Sequence, residues 1–282
     1  MVFNMLNTTR RRERLAPVSG KRRLRGRPGV RRQTAGRGYG RLIDLLDILT
    51  LEEAGLTGSD ISRRLSLPRS TVSVLLRYLV DRGVVALDPQ TRRYCAGPVL
   101  VQLAHRIVGG LQLVRVARPH LEALSALTGE DSYLGIRTGT EFIYVDRVEG
   151  SQSIGLNLRL GLPRYLHSTA VGKLLLAFGP PGLLDEVIAE RGLPAMTPAT
   201  ITDRARLVRE LERIRQQGYS VSEEENVEGV YGLAAPIRNH AGEVIGAVHI
   251  SALRARARER RDVLVERMCD AARRISEALG AR

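Results

Sequence analysis

The chain has 282 residues, and its 44 Lys and Arg residues against 30 Asp and Glu residues give a formal net charge of +14 at pH 7. This length allows two domains that each bury a core, and the basic charge indicates a polyanion or an anionic surface as partner. No apolar run is long enough to span a membrane, and Cys95 and Cys269 lack the spacing of a disulfide framework or a thiolate metal site. We therefore expect a cytoplasmic protein that does not insert into a membrane.

The first 38 residues are dense in arginine and poor in apolar residues. Between Arg10 and Arg37 the sequence holds twelve basic residues and a single acidic one, Glu13. Such a segment cannot bury enough apolar surface to offset its ordering entropy, so we expect residues 1–38 to be a disordered arm. The arm either lies along DNA phosphates beside a folded domain or only keeps the chain in solution, and the sequence leaves both interpretations open.

Two helices joined by a tight turn follow a first helix, which is predicted over Arg41–Leu51. Thr57, with Asp60 three residues later, is a capping-box pair that predicts a helix start. That helix ends near Leu65, because Pro68 lacks a backbone N–H and is tolerated only in the first turn of the next helix. The second helix carries an apolar stripe at helical spacing, formed by Val72, Leu75, Leu76 and Leu79.

The side of the second helix opposite this stripe is small, polar and basic, which is typical of a helix that enters a DNA major groove. Two short strands around Asp88-Pro89-Gln90-Thr91 then predict a hairpin, or wing, whose arginines should contact phosphates. A plain helical hairpin inside another kind of domain is the alternative. The residues that we expect to contact DNA are Arg69, Ser70, Thr71, Ser73, Arg77, Arg92 and Arg93.

Residues 39–98 therefore form a predicted winged helix-turn-helix domain, and residues 99–112 a linker helix that can pair with a second copy of the chain. Residues 113–282 mix strands and helices and predict an α+β sheet domain, which Leu111–Leu127 enters as a helix bent by Pro119. The predicted strands are Ser132–Arg137, Glu141–Val148, Ser153–Leu158, Tyr219–Ser222, Val230–Arg238 and Glu243–Ser251. The predicted helices are Thr169–Phe178, Gly182–Glu190, Asp203–Gln217 and one closing helix, Glu259–Leu279.

Several short motifs, in a fixed order, resemble those of the IclR family of bacterial transcription regulators. The first is Leu65-Ser66-Leu67-Pro68-Arg69-Ser70-Thr71-Val72, and Arg93-Tyr94 with Gly97 follows the wing. The resemblance covers the chain from about Arg41 to Leu279. The motifs of the second domain are Leu166-His167-Ser168-Thr169-Ala170-Val171-Gly172-Lys173-Leu174-Leu175-Leu176-Ala177, Gly218-Tyr219-Ser220-Val221, Glu224-Glu225, Gly229-Val230 and Ala234-Ala235-Pro236-Ile237.

The resemblance implies an α+β multidomain fold, with an N-terminal winged helix-turn-helix, a linker helix and a C-terminal GAF-like α/β domain that binds an effector. Proteins of this family pair as dimers or dimers of dimers and bind double-stranded promoter DNA, and a small organic molecule alters that binding. We expect a repressor rather than an activator. Carried over by position, the effector-binding residues are Ala170, Val171, Ser222, Gly232, His249 and Ser251.

Three of these positions depart from the family pattern. Ser222 stands where an acid is common, Gly232 where a cysteine is frequent and His249 where a small hydroxyl residue is usual. The resemblance therefore does not imply which effector binds. The missing side chain at Gly232 should leave extra room, and a cationic His249 would favour a bulky carboxylic acid, aromatic or branched, with an affinity that falls as pH rises.

Strand periodicity places His249 on the less apolar side of the last strand, on one face with Ile245, Ala247 and Ser251. The other face carries Val244, Val248 and Ile250. A pocket wall with a few polar groups would have the first composition. The alternative is that His249 is a buried histidine with a purely structural hydrogen bond.

The remaining chemical signals are weak. Gly172-Lys173 lacks the other glycine and the hydroxyl residue of a phosphate loop, so Lys173 should be solvated or cap carbonyl groups. Glu223-Glu224-Glu225 should face water, and the five histidines show no ligand spacing, so we expect no metal and no cofactor. The expected effector-binding residues are Ala, Val, Gly and Ser with one His, and this set lacks a nucleophile with an adjacent base or an acid–base pair for catalysis. This favours a regulator over the alternative, an enzyme that acts on a small acid and has a nucleic-acid-binding N-terminus.

Overall fold

A computed structural model describes residues 37–52, 54–152 and 158–281. The predicted arm lies outside these residues, except that its last two positions begin the first helix, α1 (Arg37–Leu51). The predicted strand Ser153–Leu158 also falls almost wholly outside them. Within the described residues, no helix is both long and apolar enough to cross a membrane.

The N-terminal part of the chain is a helix-turn-helix followed by a two-stranded hairpin. Its elements are α1, α2 (Gly58–Leu65), α3 (Arg69–Asp81), β1 (Val85–Asp88) and β2 (Arg93–Ala96). The stripe of α3 packs as predicted, because Val72, Leu76 and Leu79 are buried against Leu45 and Ile61. This small core stays separate from the cores of the sheet domain.

The start of α2 confirms the predicted capping box. Thr57 Oγ1 accepts from the backbone N–H of Asp60 at 3.2 Å, and Asp60 Oδ2 accepts from the N–H of Thr57 at 3.3 Å. At the other end of α2, Ser66 adopts a left-handed conformation with φ of 53°. Glycine takes this conformation without a steric cost, so Ser66 carries backbone strain at the turn.

The wing is joined firmly to the helix that follows it, α4 (Pro98–Gly110). The N–H of Gly97 donates to the carbonyl of Val84 at 2.8 Å, and the N–H of Val99 donates to that of Gly83 at 3.1 Å. A Cβ atom on Gly97 would lie 2.2 Å from the Gly83 carbonyl oxygen, so only glycine permits this approach. The first turn of α4 is thereby bonded to the loop that ends α3.

The second part of the chain contains a six-stranded antiparallel sheet, in the order β5-β4-β3-β8-β7-β6. Helix α5 (Gln112–Thr128) leads into it and continues through Pro119. The predicted strands are found to within two residues at each end, apart from Ser153–Leu158. The strands are β3 (Asp131–Thr138), β4 (Glu141–Val148), β5 (Arg164–Tyr165), β6 (Ser220–Glu223), β7 (Val230–Arg238) and β8 (Val244–Leu253).

Helices cover both faces of the sheet, and each face has its own apolar core. One core lies under α6 (Ala170–Ala177), α7 (Leu183–Arg191) and α8 (Arg204–Gln217). The other lies under α5, α9 (Arg254–Glu259) and α10 (Arg261–Ala278). The closing helix predicted as Glu259–Leu279 is found as α10 to within two residues, and the short helix α9, which was not predicted, precedes it.

The face assignment along β8 is correct except at its start. Ala247, His249 and Ser251 share the face under α6, but Ile245 packs in the opposite core. The reason is a β-bulge: Ile237 pairs with Gly246 whereas the next residue of β7 pairs with Val244, which leaves Ile245 as the extra residue. A bulge reverses the alternation of faces beyond it.

Replacing Gly172 by alanine should lower the free energy of unfolding by about 1–3 kcal/mol, the usual cost of forcing extra atoms into a packed site. Its Cβ would lie 2.4 Å from the carbonyl oxygen of Leu166 and 2.5 Å from the Leu166 Cα, and backbone cannot rotate away. Urea unfolding of Gly172→Ala measures this. Gly58→Ala is the control, because its nearest neighbour would lie 3.9 Å away. Equal stability of both variants would contradict the close packing of α6.

Candidate functional site

The outer face of α3 is exposed along its length. Val72, Leu76 and Leu79 turn inward, with at most 4% of each exposed. The predicted DNA contacts on the opposite side of α3 are all exposed: Arg69, Ser70, Thr71, Ser73 and Arg77. Val74 lies among them, 67% exposed, and can offer a methyl surface to a base.

The arginines around α3 differ in how they are bonded. In the described part of the chain, no carboxylate lies within 4 Å of Arg69, Arg77 or Arg92, so their charges are available to a polyanion. Arg92 lies in the wing turn with φ of 55°. Arg93 is less available, because its Nη1 donates to the carbonyl of Gly55 at 2.9 Å. This bond joins the wing to the segment before α2.

Four of the six predicted effector residues meet on the α6 side of the sheet. A Cβ atom on Gly232 would lie 3.0 Å from Cε1 of His249, 3.5 Å from the Ala170 Cβ and 3.8 Å from the Ser222 Cβ. Val171 lies nearby on the same helix as Ala170, and its Cγ1 would be 2.7 Å from a Cβ on Gly135. The predicted residues thus form one cluster between α6 and β3, β7 and β8.

The expectation of extra room at Gly232 is wrong in this structure. The ring of His249 stands above the glycine and occupies the space that a larger side chain at position 232 would fill. The two departures from the family pattern are therefore complementary, since a larger residue at one site requires a smaller residue at the other.

His249 is a neutral ring in this cluster, which corrects the expectation of a cationic histidine. Its side chain is 4% exposed, and its Nδ1 donates to the carbonyl of Leu233 at 2.8 Å. The rings of Tyr133 and Tyr144 lie 5.7 and 5.4 Å from it. Burial lowers the pKa of His249 from 6.5 to about 4, the Leu233 hydrogen bond opposes this shift, and the nearby Arg164 charge adds to it.

Two serines complete the polar part of the cluster. Ser222 Oγ donates to the carbonyl of Ser168 at 3.3 Å, across to the segment before α6. Ser251, 2% exposed, has a hydroxyl oxygen without a hydrogen-bond partner among the described residues. A buried hydroxyl without a partner is costly, and a bound polar molecule would satisfy it.

Lys173 does not face water, contrary to expectation. It is 1% exposed, and its Nζ lies 2.5 Å from Oε1 of Glu225 and 3.1 Å from Oε1 of Glu210. Glu225, predicted to be solvated, is buried with it, and burial raises its pKa although the Lys173 charge opposes this. The physical reason is that a lysine on the inner side of α6 can be charged only beside carboxylates.

Three further residues belong to the cluster of predicted effector residues and were not predicted from the sequence: Tyr133, Tyr144 and Arg164. Tyr133 and Tyr144 lie in predicted strands, in which every second residue points to the same face, so the strand period could have found them. Arg164 was not among the predicted site residues, and the two-residue strand β5 gives no periodic signal. Its guanidinium lies over the Tyr144 ring, 5.4 Å from the centroid.

A separate cleft of about 370 Å³ lies beside β6, and it contains none of the predicted effector residues. Its lining arginines and glutamates neutralise one another, as in the ion pair of Arg258 with Glu223 at 2.7 Å. Among the residues that the structure describes, no three His, Cys, Asp or Glu side chains group as metal ligands would.

Two family models match the chain in the order of its two parts. The IclR helix-turn-helix domain matches residues 40–89, and the model of the bacterial transcriptional regulator IclR C-terminal matches residues 105–277. The chain belongs to the IclR family. It is accordingly a member of a family of bacterial transcriptional regulators, with a helix-turn-helix domain and a C-terminal α/β domain.

Relatives of known name within the IclR family cover almost the whole chain. The HTH-type transcriptional regulator BhcR of Paracoccus denitrificans (strain Pd 1222) is 33% identical over 268 residues, which are 92% of this chain and 96% of BhcR. The HTH-type transcriptional repressor AllR of Escherichia coli (strain K12) is 33% identical over 264 residues, 92% of this chain and 97% of AllR. These names are those of regulators, which agrees with the choice of a regulator over an enzyme.

A solved structure of an IclR homolog from Microbacterium hydrocarbonoxydans, complexed with 4-hydroxybenzoate, has the same fold. It aligns with a TM-score of 0.75 and 28% identity, over 86% of this chain and 98% of that protein. At least one protein of this fold therefore carries a small aromatic acid.

Proposed function

We propose that this chain is a transcriptional repressor that reads promoter DNA with α3. The exposed polar face of α3, with Arg69 and Arg77 free of acidic partners in the described residues, carries the proposal. A helix of this kind fits the major groove, where arginine can bind guanine with two hydrogen bonds. Ser70, Thr71 and Ser73 lie between these arginines, and Arg92 and Arg93 extend the contact to phosphates.

We propose the domain boundaries expected from the sequence: a DNA-binding domain over 39–98, a linker helix over 99–112 and an effector domain over 113–282. A small organic acid bound among Ala170, Val171, Ser222, Gly232, His249 and Ser251 then alters the affinity for DNA. The 4-hydroxybenzoate found in a homologous protein supports this class of ligand.

The regulator acts as a homodimer or a dimer of dimers. Helix α4 exposes large apolar side chains, with Val101 57% and Ile107 63% exposed, and on α1 Ile43 is 56% exposed. Apolar faces on two helices of a DNA-binding unit suit the pairing of two copies, and two copies would read two half-sites.

Arg69→Ala or Arg77→Ala should cost about 1–3 kcal/mol of binding free energy on the specific duplex, if the arginine contacts a base with two hydrogen bonds. The duplex is selected from a random-sequence pool with the wild-type protein, and affinities are measured by gel shift at one salt concentration. Binding to random DNA should change far less. Arg209→Ala is the control, because it removes an exposed arginine from α8. Equal losses on both duplexes would contradict base reading by that arginine.

A further inference from the structure

Arg164 is a cation that borders the effector cluster, and among the described residues it belongs to neither the predicted site nor an ion pair. Arg164 pairs with Phe142 across β4 and β5, and paired residues of antiparallel strands point to the same face. Phe142 is buried in the core under α6, so the side chain of Arg164 lies on that face too. Its guanidinium carbon is 5.4 Å from the centroid of Tyr144.

Arg164, Tyr144 and His249 form a continuous row. The rings of Tyr144 and His249 are stacked, with centroids 5.4 Å apart and an angle of 25° between their planes. The Tyr133 ring flanks both of the others, with its centroid 4.9 Å from that of Tyr144. The row thus combines an aromatic surface with a fixed positive charge at its end.

Arg164 has no anion in the described part of the chain. None of the carboxylates there lies within 4 Å of it, and its Nε is shut off from solvent without a hydrogen-bond acceptor. The neighbouring stretch 153–157, whose sequence is Ser-Ile-Gly-Leu-Asn, contains no acidic residue to fill this role. A buried N–H left without an acceptor is costly, and it is often explained by a partner that arrives with a ligand.

We propose that Arg164 binds the carboxylate of an aromatic acid effector, whose ring packs against the row of Tyr133, Tyr144 and His249. This rests on the proposed effector site and identifies the charge that selects its ligand. Guanidinium binds a planar carboxylate with two parallel hydrogen bonds, and the aromatic side chains match a flat ring. The hydroxyl of Ser251, buried on the same face, is available to a polar group on the ligand.

The test compares acids with amides of the same shape: benzoate with benzamide, and 4-hydroxybenzoate with 4-hydroxybenzamide. Dissociation constants are measured by isothermal titration calorimetry on the full chain at pH 7.5. The wild type should bind at least one of the acids and prefer it to its amide. Arg164→Gln should weaken binding of that acid ten-fold or more and leave binding of the amide unchanged, because only the acid loses charge-assisted hydrogen bonds. Arg164→Lys should retain part of the preference.

Arg137→Gln is the matched control. Arg137 also pairs with Phe142, on the other side of β4, but its side chain is exposed and donates to the carbonyl of Gly139. The Arg137→Gln variant should bind each acid and its amide with the same affinities as the wild type. A loss of acid preference in Arg137→Gln instead would place the anion near the end of β3 and overturn the proposal.

Three other results would also overturn the proposal. In the first, Arg164→Gln binds the acid as tightly as the wild type, and in the second, its affinities for the acid and the amide fall equally. The third such result is a wild type that binds neither acid. Gel shifts on the selected duplex, made with the same preparations, separate these outcomes from a failure of the proposed function. If the wild type binds that duplex and still shows no role for Arg164, only the inference about Arg164 is wrong. A wild type without preference for the selected duplex contradicts the proposed function itself.

Discussion

Replacing Lys173 by methionine should lower the free energy of unfolding by about 3–5 kcal/mol, the usual cost of removing one partner from a buried ion pair. Methionine has a similar length and restores the packing, so the loss is electrostatic. Glu225 and Glu210 would then face each other without the ammonium group that lies within 3.1 Å of both. Urea unfolding at a fixed protein concentration measures the change.

The rescue variant Lys173→Met with Glu225→Gln should recover most of this loss. It removes the buried carboxylate along with the lysine, and Glu210 keeps its ion pair with Arg213 at 2.8 Å. Arg204→Met is the control, because its ion pair with Asp185 is exposed on both sides and such pairs contribute about 0–1 kcal/mol. If Lys173→Met were no more destabilising than Arg204→Met, the buried cluster would not exist as described.

The second large effect is the pH dependence that His249 gives to stability. Its pKa is about 4 in the folded chain and 6.5 when exposed. Between pH 6.5 and pH 4, His249 therefore binds a proton in the unfolded state but not in the folded state. The free energy of unfolding falls as pH decreases through this range. One pKa unit corresponds to about 1.4 kcal/mol, so this one side chain accounts for roughly 3 kcal/mol.

His249→Asn removes the titration and keeps an N–H that can donate to the Leu233 carbonyl. The variant should be less stable than the wild type at pH 7.5, because the aromatic contacts are lost, and the difference should shrink by roughly 3 kcal/mol towards pH 4. Denaturant unfolding at several pH values gives both curves. Parallel curves would show that His249 is protonated equally in both states and is not buried as a neutral ring.

Local patterns in the sequence predicted the helix-turn-helix and most of the sheet, since both depend on neighbours within a few residues. The capping pair of Thr57 and Asp60 is an example, because both bonds lie within one turn. Strands β4 and β7 were predicted with the bounds that the structure has, from alternation and turn residues alone.

The errors arise where distant residues decide the outcome. Lys173 is separated from Glu225 by 52 positions, so its sequence neighbours give no sign of the buried pair. The bulge at Ile245 depends on the pairing of β8 with β7. The same pairing brings the His249 ring into the space above Gly232. Arg164 lies in β5, and a strand of two residues is too short to show a periodic pattern in the sequence. The positions of these functional side chains are therefore determined by how the strands pair in the sheet, and not by the local sequence around each residue.

The bonds between the wing and α4 determine how a signal could reach DNA. Because Gly97 and Val99 are bonded to the carbonyls of Val84 and Gly83, the start of α4 cannot turn independently of the end of α3. If α3 reads DNA as proposed, a rotation of α4 would therefore move α3 relative to the groove. Regulation of this kind would need no unfolding of the helix-turn-helix.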